Sequence, residues 1–145
     1  MSKHISRRTE RKLVAQFLYS LEYVECPSIA KLEEYFIQYL ATEENGREYN
    51  SEDFSWQLIC GVWAKQEKIN DIITTLSRNW KLERIGKMEL IALRIALYEI
   101  LYTPEIPKNV VVKEALDIIT AFGDTGANTF IVGIIEQVAR EREEI

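Results

Sequence analysis

Glycine, proline, cysteine and histidine are all scarce in this chain of 145 residues. Six glycines and three prolines are too few for the many turns of an all-β fold. The two cysteines, Cys26 and Cys60, cannot build a disulfide framework, and their spacing matches no zinc motif. The chain also lacks an apolar run of about 18 residues, so we expect no membrane-spanning helix.

Catalytic motifs are missing as well. The single histidine, His4, cannot complete a metal site or a catalytic triad. Neither common glycine-rich phosphate-binding motif occurs in the sequence. The polar, basic N-terminus has no apolar segment of a secretory signal. We therefore expect a cytoplasmic protein without a catalytic triad, bound metal or cofactor.

The composition that remains is that of one folded helical domain spanning residues 1–145. Hydrophobic residues make up 47% of the chain and charged residues 28%, a balance typical of globular proteins. Apolar residues recur at helical spacing in six stretches, at 6–24, 29–40, 51–79, 88–102, 107–122 and 130–138. The stretch at 88–102 is apolar almost all round, which predicts a helix at the centre of the fold.

Several residues mark where these helices begin and end. Ser6, Ser28 and Ser51 precede apolar stretches and are expected N-caps. Pro107 is the expected first residue of a later helix, and Gly123 is the expected C′ residue at its end. The long stretch at 51–79 is either one helix or two helices with a bend near residue 66, and the sequence leaves this open.

The string Asp124-Thr125-Gly126-Ala127 matches the one around the catalytic carboxylate of aspartic proteases. That chemistry requires two such carboxylates on a β scaffold, and no strand pattern occurs in this sequence. We therefore interpret the string as a turn between two helices in which Asp124 caps the start of the second.

Basic residues concentrate at the N-terminus of an otherwise acidic chain. The first twelve residues contain five basic residues and one acid, Glu10, and so carry a net charge of +4. The other 133 residues contain 13 basic and 22 acidic residues, a net charge of −9. The five basic residues, which we call the basic arm, are Lys3, Arg7, Arg8, Arg11 and Lys12.

Helical geometry places most of the basic arm on one side of the first helix. At about 100° per residue, with Arg7 as zero, Arg11 lies near 40°, Arg8 near 100° and Lys12 near 140°. The apolar stripe centres near 300°, so we expect the arginines to project beside the buried face. Guanidinium groups bind phosphates and stack on unpaired bases. A solvated basic turn, or pairing with the acidic body, is the alternative interpretation.

Nine short motifs extend from about Arg7 to Gln137. They are RRTER (7–11), QFLYS (16–20), GV (61–62), NWKLERI (79–85), LRIALYEI (93–100), IP (106–107), VKEA (112–115), FG (122–123) and FIVG (130–133). With these motifs in this order and at this spacing, the sequence resembles the NusB family of bacterial transcription antitermination factors. The segment 93–100 is the most distinctive of them.

This resemblance implies a fold, a function and partners. The implied fold is all-α, with about seven helices in two small packed bundles. The implied function is non-enzymatic: family members bind boxA, a single-stranded RNA element of ribosomal RNA operons, jointly with the ribosomal protein NusE. The complex then joins RNA polymerase and other Nus factors and suppresses premature termination.

The resemblance also implies site residues. RNA contact falls on Arg7, Arg8 and Arg11, with Lys3 and Lys12 of the basic arm extending that surface. A second RNA segment and a NusE contact are implied at further positions. The second RNA segment comprises Phe122, Gly123, Asn128 and Phe130, and the NusE contact comprises Tyr19 and Glu89.

The sequence departs from the family pattern at several of these places. The family often has arginine or another basic or small residue where Thr9 and Glu10 stand, and we expect the acid to weaken phosphate attraction. The asparagines usual in the family are replaced by Lys113 and Val132, and an acid of the last loop is replaced by Gly126.

Two other hypotheses remain for this sequence. Similar helical domains are fused to RNA cytosine methyltransferases, although the chain ends at Ile145 without a methyl-donor domain, so we favour a stand-alone domain. The chain could also form a homodimer that buries the basic arm between subunits. Light scattering with and without RNA separates the dimer from the RNA-binding hypothesis.

Overall fold

The computed structural model describes residues 6–42, 46–77 and 85–143. Within these ranges the chain forms seven α-helices and no β-strand, which confirms the all-α fold. The helices are α1 (Arg7–Ser20), α2 (Ile29–Ala41), α3 (Phe54–Ala64), α4 (Gln66–Leu76), α5 (Lys87–Tyr102), α6 (Lys108–Phe122) and α7 (Asn128–Glu143). A 3₁₀ turn, Thr125–Ala127, precedes α7. None of the described helices is long and apolar enough to cross a membrane.

The chain divides into two compact units, Met1–Cys60 and Gly61–Ile145. The first unit contains α1, α2 and the start of α3, and the second contains α4 to α7. Two compact helical units agree with the two bundles that the family resemblance implies.

An aromatic cluster forms the core of the first unit. The Phe36 ring stacks on Trp56 at a centroid distance of 5.7 Å, and the centroid of the Phe17 ring lies 4.9 Å away. Both helices before α3 begin at serine caps, as predicted. The Ser6 hydroxyl accepts from the Thr9 N–H at 3.2 Å, and that of Ser28 accepts from Lys31 at 3.2 Å.

The third apolar stretch differs from its prediction at its start. Ser51 does not cap a helix, because α3 begins only at Phe54. The intervening residues form a turn in which the Asn50 side chain accepts from the Glu52 N–H at 2.9 Å. The open choice between one helix and two is resolved as two, α3 and α4, which are interrupted at Lys65. The predicted end at Asn79 lies outside the described residues.

Helix α5 is the centre of the second unit and packs against α4, α6 and α7, as its all-round apolar character predicts. A close contact brings α3 and α5 together within this unit. A Cβ atom on Gly61 would lie 2.1 Å from Cζ of Tyr98, so glycine is needed there for the ring to fit. The buried apolar residues of α5 are Met88, Ile91, Ala92, Leu93, Ile95, Ala96, Leu97 and Ile100.

The two ends of α6 each lie one position away from the prediction. Pro107 is the N-cap of α6 rather than its first residue. Gly123 is the C-cap in an extended conformation (φ −125°), not a left-handed C′ residue. Because any residue can adopt that conformation, glycine is required here for another reason, namely the approach of a carboxylate described below.

Candidate nucleic-acid interface

The first turn of α1 presents only part of the basic arm to solvent. Arg7 and Arg8 are exposed and Lys12 is half-buried, whereas Lys3 lies outside the described residues. Arg11 is only 5% exposed, which corrects the expectation that all the arginines project beside the buried face. Its position near 40° on the helix borders the apolar stripe closely enough for its side chain to be covered.

One aromatic ring holds two of these arginines. Cζ of Arg7 lies 4.7 Å from the centroid of the Phe54 ring, and Cζ of Arg11 lies 5.1 Å from it. Guanidinium groups at such distances are attracted to the electron-rich face of the ring. Phe54 is half-buried at the start of α3, so the ring anchors the arm to a second helix of the same unit.

The acid among the residues of the basic arm, Glu10 in the first turn of α1, points inward. It is 4% exposed, and its Oε1 accepts from Nη2 of Arg47 at 2.5 Å. Its Oε2 accepts from the backbone N–H of Ser55 at 2.9 Å, in the first turn of α3. The negative charge is therefore neutralised inside the unit, so the outward side of the turn keeps its positive charge.

Arg47 extends this network to a second acid. Its Nη2 also lies 3.2 Å from Oδ2 of Asp53, the residue just before α3. Sequence reasoning missed the network, although helical periodicity contained the signal for it. Glu10 falls near 300° from Arg7, at the centre of the apolar stripe, and a carboxylate buried there needs a cationic partner.

The second predicted RNA segment lies in the other unit, where α6 passes through the 3₁₀ turn into α7. Phe122 and Gly123 are exposed, but Phe130 is buried. Oδ1 of the half-buried Asn128 is shielded from water and has no hydrogen-bond partner among the described residues. The string 124–127 lies between two helices, as predicted. Asp124 caps the 3₁₀ turn that precedes α7, rather than α7 itself, by accepting from the Gly126 N–H at 2.8 Å.

A buried carboxylate fixes this loop. Glu89, in the first turn of α5, is 3% exposed and accepts a hydrogen bond from the backbone N–H of Asp124. A Cβ atom would lie 2.7 Å from Oε1 if placed on Gly123, and 2.1 Å from Oε2 if placed on Gly86. The two glycines thus leave the space that the carboxylate fills. A NusE contact at Glu89 stays a prediction, and the structure shows the side chain holding the loop.

Tyr19, near the end of α1, is 50% exposed. The next residues, Ser20 and Leu21, line a groove of about 270 Å³ in the first unit. The rest of the lining is mostly apolar or aromatic and comes from α1 and α2: Phe17, Val24, Tyr35, Gln38, Tyr39 and Thr42. This end of α1 can therefore contact a protein partner, since exposed aromatic and apolar side chains are typical of such interfaces.

The chain is similar to known proteins over nearly its whole length. A sequence model of the NusB family matches residues 8–140. Two proteins named transcription antitermination protein NusB, from Nitratidesulfovibrio vulgaris and Oleidesulfovibrio alaskensis, are 40% and 38% identical to the chain. Each match covers 95% of this chain and 90% of the relative.

A solved structure of T. maritima NusB superposes with a TM-score of 0.78 at 26% sequence identity. The match covers 96% of this chain and 94% of that one. The family match, the relatives and the shared fold thus lead to one conclusion. The chain belongs to the NusB family of transcription antitermination proteins.

Proposed function

We propose that the chain acts in antitermination by binding boxA-type single-stranded RNA together with NusE, as one domain of residues 1–145. The complex would then join RNA polymerase and other Nus factors on ribosomal RNA operons in the cytoplasm. The chain performs no reaction in this role, and its contribution is to bring an RNA segment and a protein partner together.

The observation that carries this proposal is the first turn of α1. Arg7 and Arg8 are exposed there, while the only acid, Glu10, is turned inward and paired with Arg47. The acid of this turn is therefore directed away from the exposed arginines, and the N-terminus of α1 adds its partial positive charge. Guanidinium groups in this setting favour phosphates and the faces of unpaired bases.

The second RNA segment supports the same role from the other unit. Helix α7 starts five residues after the exposed Gly123, and Phe122 is exposed as well. A helix N-terminus attracts phosphate oxygens. Asn128 is the first residue of α7 and belongs to this proposed segment, with its Oδ1 buried away from solvent.

NusE contact is proposed at the other end of α1. Arg7 and Tyr19 are twelve residues apart, about 18 Å along a helix axis. One helix can therefore touch RNA at its start and a protein at its end without the two competing. Two modest interfaces that share one RNA reinforce each other, which is how weak RNA binding becomes tight in the presence of a partner.

The RNA proposal is tested by a gel-shift series over salt concentration with a boxA-like RNA. Three or four neutralised phosphates predict a log–log slope of about −2 to −3, at about −0.7 each on a single strand. The Arg7→Ala/Arg8→Ala variant should weaken binding and flatten the slope by about 1.4.

The matched control is Lys65→Ala/Lys68→Ala, which removes two exposed cations that lie over the Tyr102 ring. This control keeps the net charge equal to that of the arginine variant. If both variants lose the same affinity, binding follows overall charge and the basic arm is not the RNA site.

The NusE proposal is tested by repeating the titration with NusE present. Tyr19→Ala should reduce the gain that NusE gives and leave RNA binding without NusE unchanged. Tyr19→Phe, which keeps the ring, should retain most of the gain. An unchanged gain for Tyr19→Ala would place the NusE contact elsewhere. Light scattering on the same samples reports whether a dimer forms.

A further inference from the structure

The start of α3 is attached to α1 on both sides of Phe54. On one side, Asp53 is paired with Arg47, and on the other the Ser55 N–H donates to Glu10. Arg47 and Glu10 are themselves paired at 2.5 Å. The residues on each side of Phe54, through the Asp53 side chain and the Ser55 backbone, are therefore tied into one network, which fixes the position of the Phe54 ring next to the arm.

Two guanidinium groups share this one ring, although their like charges repel each other. Each is stabilised by the electron-rich ring face, since Arg7 and Arg11 lie within about 6 Å of its centroid. Arginine side chains otherwise lose considerable rotamer freedom when they bind a ligand. A ring that already restrains the side chain lowers that loss before any RNA arrives.

The two arginines are not equivalent on the ring. Arg11 is buried, so it adds positive potential at the site without a direct contact to RNA, whereas Arg7 is exposed. With one side directed to Phe54, the guanidinium of Arg7 keeps its outer side for a phosphate or for a stacked base.

From this geometry we propose that Phe54 is a positioning residue of the RNA site, which acts by holding the Arg7 guanidinium ready for RNA. The inference rests on the proposed RNA-binding function. It adds a residue outside the basic arm, in a different helix, that determines how well the arm works.

A double-mutant cycle tests the proposal with boxA-like RNA in the full chain. Phe54→Leu should weaken RNA binding about five-fold, the factor that corresponds to one cation–π contact. In an Arg7→Ala background, Phe54→Leu should change binding less than two-fold, because the group that the ring positions is gone. Phe54→Tyr should restore binding, because its ring keeps an electron-rich face.

Circular dichroism and thermal unfolding check that each variant is folded. If Phe54→Leu does not fold, phenylalanines with increasing numbers of ring fluorines at position 54 replace it. Fluorine withdraws electron density from the ring face while nearly preserving the shape. Affinity should then fall stepwise with fluorination, and an affinity that does not change overturns the proposal.

The outcomes separate this inference from the proposed function. If Arg7→Ala/Arg8→Ala leaves RNA binding intact, the proposed function fails and the Phe54 inference fails with it. If the arginines matter but Phe54→Leu has no effect, or has the same effect with and without Arg7, only the inference fails.

Discussion

Each of the two units buries one carboxylate next to a predicted RNA segment, and the two carboxylates are compensated differently. Glu10 in the first unit is neutralised by a cation, Arg47, and by one backbone N–H. Glu89 in the second unit accepts a backbone N–H from Asp124 and lies in a niche between Gly86 and Gly123. Both lie in the first turn of a helix, where the helix dipole favours negative charge.

The difference shows two ways of holding a binding segment in place. An ion pair joins side chains that are distant in the sequence. The loss of either partner leaves a buried charge without compensation and destabilises the fold. A carboxylate that accepts from a backbone N–H, as Glu89 does, depends instead on the space around it. If a larger neighbour displaces the carboxylate, the hydrogen bond is lost. We therefore expect the first unit to be sensitive to charge and the second to be sensitive to volume.

The largest effect is expected for Arg47→Ala, which leaves the Glu10 carboxylate buried without its cation. Removing one partner of a buried pair destabilises a protein by about 3 kcal/mol, and the partial exposure of Arg47 places the value at the low end. Urea denaturation measures the change. The Glu10→Gln/Arg47→Ala variant should recover part of the loss, and no recovery would mean that the pair is not the cause.

A smaller loss, about 2 kcal/mol, is expected for Glu89→Ala, which leaves the Asp124 N–H without its acceptor. Amide hydrogen exchange of Asp124 should accelerate, since its protection depends on that bond. Glu89→Gln retains an acceptor oxygen and should lose less. If exchange at Asp124 is as slow in Glu89→Ala as in the parent, the carboxylate does not hold the loop.

Volume is tested by adding a methyl group on either side of Glu89. Gly123→Ala and Gly86→Ala should each destabilise the chain by about 1 kcal/mol, since the carboxylate must move. Gly133→Ala is the matched control within α7, because no described atom outside the neighbouring residues and the local helix backbone lies within 4 Å of its Cβ position. That control should stabilise the helix by up to about 1 kcal/mol. In thermal unfolding, the two variants beside Glu89 should therefore have lower melting temperatures than the parent, and the control should have a higher one. A change of the same sign in all three variants would refute the niche.

The smallest effect is expected for a carboxylate that is not buried. Glu136 pairs with Lys108 at 2.8 Å, and both side chains are about one-third to two-fifths exposed. Glu136→Gln should change the free energy of unfolding by less than about 0.5 kcal/mol. A loss of stability as large as that of Glu89→Ala would show that burial does not determine how much each of these acids contributes to stability.

Much of the fold follows from local patterns. The serine caps of α1 and α2 depend on a hydroxyl and an N–H three residues away, so short-range sequence predicts them. The position of α5 follows from its all-round apolar surface. The start of α3 was predicted wrongly because a capping residue such as Ser51 is found in turns as readily as before helices.

The binding segments were predicted less completely. The basic arm is visible as charge in the sequence, but the burial of Arg11 against Phe54 depends on a residue 43 positions away. The requirement for glycine at position 123 was attributed to backbone conformation, whereas it results from the approach of Glu89. Both depend on side chains that meet only after the helices have packed.

The sequence by itself determined most of the helices, the cationic start of α1 and membership of the NusB family, because periodicity, net charge and motif spacing are properties of the linear chain. Only the tertiary structure decided which charges face outward and which are neutralised inside. That choice depends on long-range partners, such as Arg47 for Glu10 and the Asp124 N–H for Glu89, because a buried charge is stable only where packing brings a compensating group to it.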